Sequence, residues 1–128
     1  MLPNYTSGSA VLLDRRQLDR LKSADVVVLK YPGDPDHHEY IKRVVAIPGD
    51  RVAVHDQRVY VNDLKLAEPY LKSSVISEPA VAERTLGANE YYTMGDNREA
   101  SNDSRFFGPV ERRYIVGRVV TTLFSAKP

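Results

Sequence analysis

The sequence contains no cysteine among its 128 residues. The chain therefore has neither a disulfide framework nor a thiol nucleophile. Its three histidines, His37, His38 and His55, do not show the spacing of a metal site, so we expect no metal and no cofactor. No apolar run approaches the roughly 20 residues of a membrane helix, and the N-terminus has no features of a secretory signal.

The charges are nearly balanced. Lysine and arginine number 18 and aspartate and glutamate 17, for a formal net charge of +1. This balance excludes the strongly basic surface of a nucleic-acid-binding protein. The length predicts a single domain over residues 1–128, and the weak patterning of residues 63–88 predicts a small lobe within it.

Short apolar runs separated by turn residues recur along the chain. Residues 51–62 have the alternation of a β-hairpin with Asp56 and Gln57 in its turn. Gly117 marks a bend or bulge in the last run. The pattern predicts an all-β fold, made of antiparallel sheets or a barrel with very little helix. The other predicted strands are residues 9–13, 25–30, 90–94 and 114–124.

Residues 40–50 read Tyr-Ile-Lys-Arg-Val-Val-Ala-Ile-Pro-Gly-Asp, the pattern of a strand that ends in a turn. In a strand, Lys42 shares a face with Tyr40, Val44 and Ala46. Loss of hydration there lowers the pKa of a lysine, and a neutral lysine accepts a proton from a hydroxyl. The alternative is an edge-strand lysine whose amine reaches water.

Residues 95–105 read Gly-Asp-Asn-Arg-Glu-Ala-Ser-Asn-Asp-Ser-Arg, which is too polar for a core strand. Carboxylate–arginine pairs and short polar side chains can hold such a loop in one shape. Beside a half-buried lysine, a serine of this loop would orient the amine. The alternative is a solvated turn between strands.

Together, these two stretches resemble the signature boxes of bacterial type I signal peptidases, which are membrane-anchored Ser-Lys endopeptidases. Residues 1–3 resemble the nucleophile box Ser-Met-x-Pro, and residues 24–28 resemble a Gly-Asp-Val-Val strand. The resemblance extends from Met1 to about Phe124. It implies that the protein removes signal peptides from exported preproteins at Ala-x-Ala-like sites. It also implies a location at the outer face of the plasma membrane, in contact with lipid. We expect the protein to be a monomer.

The resemblance also implies roles for individual residues. Lys42 matches the general base and Ser101 the serine that positions its amine. The residues matching those that brace the site are Arg43, Asp96, Asp103 and Arg105. The residues matching the substrate-binding region are Met1, Leu2, Pro3, Tyr40 and Ile41.

The sequence departs from the family pattern in three places. The family nucleophile is the serine directly before the methionine, which here is Met1, so we expect that serine and the anchor to lie upstream of the printed chain. The usual Pro-Thr is Pro3-Asn4, and the usual Gly-Asp is Gly8-Ser9.

Two other functions fit the same residues. One is a non-catalytic signal-peptidase-like domain that binds signal peptides or pilin-like clients. The other is a self-cleaving Ser-Lys peptidase of the repressor type, against which the Gly-Asp-Asn-Arg box argues. The apolar pairs Met1-Leu2 and Leu123-Phe124 face either lipid or the core.

Overall fold

The computed structural model of the chain describes residues 1–31, 33–36 and 38–126, so His37 lies outside the described residues. Within them, antiparallel strands dominate, which confirms the predicted all-β class. The strands are β1 (Ala10–Asp14), β2 (Val26–Lys30), β3 (Glu39–Ala46), β4 (Arg51–His55), β5 (Arg58–Val61), β6 (Leu64–Lys65), β7 (Val81–Thr85), β8 (Glu90–Met94), β9 (Val110–Glu111) and β10 (Ile115–Phe124). Helical segments are one-turn pieces: α1 (Ser104–Phe107) and 3-10 turns at Leu18–Arg20, Arg98–Ala100 and Arg112–Tyr114.

The larger sheet has the strand order β1-β10-β2-β3-β8-β9. The pairing of β10 with β2 shifts between Ile115 and Gly117, as the glycine in this apolar run predicted. A Cβ on Gly117 would lie 3.1 Å from the Cβ of Leu13 and 3.2 Å from the backbone oxygen of Asp14. The glycine therefore lets β1 approach β10 closely.

The smaller sheet has the order β6-β5-β4-β7. Its centre is the predicted hairpin, in which Val52 pairs with Val61 and Val54 with Val59. Asp56 and Gln57 have φ values of 50° and 62°, as a two-residue turn between right-twisted strands requires. Residues 63–88 contribute β6 and β7 to this sheet, and the single domain with a small lobe stays a prediction.

Two apolar clusters pack around the end of β3. Val44 belongs to one cluster with Val27, Leu29 and Tyr91, whereas Val45 belongs to the other. Residues 44–46 of β3 are fully buried. Lys42 lies two residues before them, so its backbone is held by a well-packed strand end. The second cluster also contains Ala46, Val52, Val54, Val59, Leu86, Tyr92 and Met94.

Among the described residues, no helix has the length and apolar character needed to cross a bilayer.

The apolar cluster that contains Val45 and Val59 predicts a difference in stability between two valine variants. Val59 is fully buried in it, whereas Val120 in β10 is 51% exposed. Val59→Ala removes two buried carbon atoms and leaves a cavity, so we expect it to lower the free energy of unfolding by about 2 kcal/mol. The matched control Val120→Ala should change it by less than about 0.5 kcal/mol. Urea unfolding measures both, and equal losses would contradict this description of the core.

Candidate catalytic site

Lys42 and Ser101 meet midway along β3, although 59 positions separate them in the sequence. The Lys42 Nζ donates a hydrogen bond of 2.8 Å to the Ser101 Oγ. The Lys42 side chain is half-buried, and its Nζ lies 5.8 Å from the centre of the Tyr40 ring. Burial lowers the pKa of Lys42, the negative charge of Asp103 acts against this, and the positive charge of Arg105 adds to it. The net shift of the Lys42 pKa is downward, so the amine loses its proton at a lower pH than a lysine in water does.

Gly95 makes room for this contact. A Cβ at that position would lie 2.1 Å from the Ser101 Oγ and 3.4 Å from the Lys42 Nζ. Any larger residue would displace the hydroxyl from the amine. The glycine that opens the polar loop is therefore required for the approach of Ser101 to Lys42.

Asp103 and Arg105 form a buried pair beneath the polar loop. Both side chains are fully buried, and Arg105 Nε and Nη2 donate to the two Asp103 oxygens at 2.8 and 2.7 Å. Asp103 also caps α1 by accepting from the Arg105 N–H, and it accepts from the Gly95 N–H at 3.0 Å. Burial opposes ionisation of Asp103, but Arg105, Gly95 and the Ser101 hydroxyl together lower its pKa.

Arg43 and Asp96 form a second such pair on the side of β3 opposite Lys42. Arg43 Nε and Nη2 donate to the two Asp96 oxygens at 2.9 and 2.7 Å. Asn4 joins the pair by donating to Asp96 at 2.8 Å and to the backbone oxygen of Tyr70 at 3.0 Å. The segment that follows Met1 is thereby tied to the polar loop.

Sequence reasoning missed a third group, which comes from the weakly patterned stretch after β6. Tyr70 stacks on Arg43, with the guanidinium carbon 4.0 Å from the ring centre, and its hydroxyl donates to Glu68 at 2.8 Å. Glu68 in turn accepts from the buried Arg98, which also donates to Ser77 at 2.8 Å. No local pattern marks Glu68 or Tyr70, because their partners lie far away along the chain.

Four of the predicted substrate-binding residues line one groove of about 640 Å³ between the N-terminal segment and β3. They are Met1, Leu2, Tyr40 and Ile41. Pro3 lies elsewhere: together with Leu2 it lines a smaller cavity of about 290 Å³ beside residues 96–99.

β8 pairs with only part of the β3 edge that faces it. β2 pairs with β3 from Glu39 to Arg43, whereas the pairing with β8 begins at Arg43 and continues to Ala46. In the described part of the chain, residues 39–42 thus have one edge without a strand partner. Tyr40 and Ile41 lie on this edge, and Lys42 ends it.

Met1 lies beside the polar loop and in the same groove as Tyr40 and Ile41. Burial lowers the pKa of the Met1 amino group, the charge of Lys42 acts in the same direction, and Asp96 opposes both. The Met1 sulfur accepts from the Asp96 N–H at 3.2 Å. Met1 is thereby held against the polar loop that carries Ser101.

The loop before β3 brings together the side chains of Asp34, Asp36 and His38. The atoms that could bind a metal, which are carboxylate oxygens and a histidine ring nitrogen, lie within 4.8 Å of one another. The histidine spacing had not indicated this cluster. Asp34 accepts from the backbone N–H groups of Asp36 and His38, so the cluster has a structural role in the loop.

The chain is similar in sequence to known signal peptidases. The chain is 33% identical over 131 residues to signal peptidase I V of Bacillus subtilis, and the match covers 91% of this chain and 76% of that protein. It is 32% identical over 111 residues to signal peptidase I of Bacillus licheniformis, covering 80% and 59% respectively.

A solved structure of a signal peptidase I from Enterococcus faecalis has the same fold. The TM-score is 0.66 at 24% identity, over 80% of this chain and 97% of that one. The sequence profile of the family described as signal peptidase, peptidase S26, matches residues 1–124. Since this match spans nearly the whole chain, the protein belongs to the signal peptidase family.

Proposed function

We propose that the chain is the catalytic domain of a signal peptidase I that removes signal peptides from exported preproteins by a serine–lysine mechanism. The observation that carries the proposal is the 2.8 Å contact between Lys42 Nζ and Ser101 Oγ at the end of an unpaired strand edge. Family membership supports the reaction class. No observation favours the non-catalytic alternative.

In this mechanism, the nucleophile is the hydroxyl of a serine bonded to the Met1 nitrogen. Lys42 takes the hydroxyl proton as the oxygen bonds to the substrate carbonyl carbon, and it gives that proton to the leaving amine as the C–N bond breaks. Lys42 then takes a proton from a water molecule that attacks the resulting ester, and it returns the proton to the serine oxygen as the signal peptide is released. The contact of Met1 with Asp96, and its place in the groove with Tyr40 and Ile41, support this placement. Ser101 orients the amine by accepting its hydrogen bond.

The substrate binds beside β3 as an added strand. Within residues 39–42, the N–H and C=O groups that point away from β2 supply the hydrogen bonds for this pairing. The groove lined by Met1, Leu2, Tyr40 and Ile41 lies along that edge and receives the side chains before the cleaved bond. The family resemblance implies that these side chains are small, as in Ala-x-Ala. Pro3 shapes the neighbouring wall.

The bracing pairs keep this geometry rigid. Arg43–Asp96 fixes one side of the polar loop and Asp103–Arg105 the other, both with bidentate contacts. The Lys42 amine therefore meets a preorganised acceptor.

We place the domain at the outer face of the plasma membrane, as a monomer in contact with lipid. The antiparallel pair of β1 and β10 supports the lipid contact, because four large apolar side chains on these strands are exposed. An apolar surface of this kind is favoured in a bilayer interface. The four side chains are Leu12, Val120, Leu123 and Phe124.

The role of Lys42 is testable in a protein that carries a serine directly before Met1, referred to below as the serine-bearing protein. Lys42→Ala should lower kcat/KM for a signal-peptide substrate by at least about a thousandfold, because the base is removed. Lys22→Ala is the matched control, since Lys22 is exposed and lines a different surface depression, with Asp14 and Arg118; it should leave activity unchanged. Cleavage retained after Lys42→Ala would reject Lys42 as the base.

The pH dependence follows from the lowered pKa of Lys42. The active form is the neutral amine, so kcat/KM of the serine-bearing protein should rise with pH and level off above the Lys42 pKa. The midpoint of the rise should lie below 10.5, the ordinary value for lysine, because burial disfavours the ammonium form. A midpoint at or above 10.5, or a rate that falls as pH rises toward it, would contradict the role.

The lipid contact can be measured with vesicles of phosphatidylethanolamine and phosphatidylglycerol. The double variant Leu123→Ser with Phe124→Ser should reduce co-sedimentation at least about fivefold, because two apolar side chains are lost from the contact. Leu64→Ser is the control: Leu64 is 73% exposed but lies in β6 of the smaller sheet. If the double variant and the Leu64→Ser control reduced co-sedimentation equally, the β1–β10 surface would not be the lipid contact.

A further inference from the structure

A second large cavity borders the catalytic pair. It has a volume of about 670 Å³ and lies between the polar loop, residues 76–80 and the turn joining β4 to β5. Ser101 lines this cavity, whereas the preceding residue, Ala100, lines the groove beside β3. The polar loop therefore borders two spaces, one beside Ala100 and the other beside Ser101.

The strand pairing indicates how a peptide would pass from one space to the other. A peptide lying along the free edge of β3 can pair as far as Lys42, but β8 occupies the same edge from Arg43 onward. The peptide must leave the sheet there. Ser101 stands at that point, and the cavity opens beside it.

The charges around the cavity are mostly negative. Asp56, Glu78 and Glu99 line it with exposed side chains. Arg98 also lines it, but this guanidinium is buried and paired with Glu68, so its charge is already compensated. The exposed carboxylates are therefore the charges that a ligand meets.

The rim also offers an apolar contact. Phe106 is 61% exposed and lines the cavity from α1. An aromatic ring beside exposed carboxylates suits a long basic side chain, whose methylene groups cover the ring while the charged end reaches an acidic group.

We propose that this cavity binds the substrate residues that follow the cleaved bond and favours a basic side chain among them. The proposal rests on the proposed peptidase function and concerns the same active site. It makes Glu78 and Glu99 specificity-determining residues for the first residues of the released protein.

The test uses the serine-bearing protein and two sets of peptides that are identical up to the cleaved bond. One set carries lysine and the other glutamate, at the second, third or fourth position after that bond. The lysine peptides should have a kcat/KM on the order of three- to tenfold higher at their preferred position. The preference should shrink as salt is added, because exposed charges are screened.

Two double variants that remove the same number of negative charges assign the effect to the cavity. Glu78→Gln with Glu99→Gln keeps side-chain size, and glutamine at position 78 retains a carbonyl oxygen for the Gln57 amide, which donates to Glu78 at 2.9 Å. This double variant should lose most of the lysine preference. The control, Glu83→Gln with Glu111→Gln, removes the same charge outside the cavity and should retain the preference.

The outcomes separate this inference from the function on which it rests. Failure to cleave either peptide set would overturn the proposed peptidase function and this inference together. Cleavage without a lysine preference, or a preference equally retained in both double variants, would overturn the inference and leave the peptidase function standing.

Discussion

The candidate catalytic site depends on one hydrogen bond, which the Lys42 amine donates to the Ser101 hydroxyl. Everything around it keeps a half-buried amine beside a fixed acceptor. The strand that carries Lys42 is held by two apolar clusters at residues 44–46. The loop that carries Ser101 has almost no apolar side chains, and polar contacts determine its shape.

Three arginine–carboxylate pairs form that framework. Arg43–Asp96, Arg98–Glu68 and Arg105–Asp103 are all largely buried. A buried ion pair adds little net stability, because desolvation offsets much of its attraction. Its contribution here is geometric: each bidentate contact fixes the direction of two side chains and thereby the path of the loop between residues 95 and 105. Removing one partner would leave a buried charge and release the loop.

Sequence reasoning predicted the parts of this arrangement that have local signals. Alternating apolar residues marked the hairpin and β3, and Gly117 marked the shift in β10. The pairing of Lys42 with Ser101 came from a family resemblance, since no local pattern brings together residues 59 positions apart.

The rest is determined by long-range packing. Glu68 and Tyr70 lie in a stretch without regular secondary structure, and their partners, Arg98 and Arg43, are 30 and 27 positions away. The free edge of β3 depends on where β8 begins to pair, which strand propensities do not indicate. The cavity beside Ser101 forms only when three separate segments meet.

The central claim is that the fold holds the Lys42 amine in an environment that disfavours its charged form. The most direct measurement is an NMR titration that follows the nitrogen and adjacent carbon signals of the Lys42 side chain in the folded protein. The account predicts that Lys42 titrates clearly below 10.5, because burial outweighs the attraction of Asp103. Titration at or above 10.5 would contradict it, since the amine would then be as charged as in water.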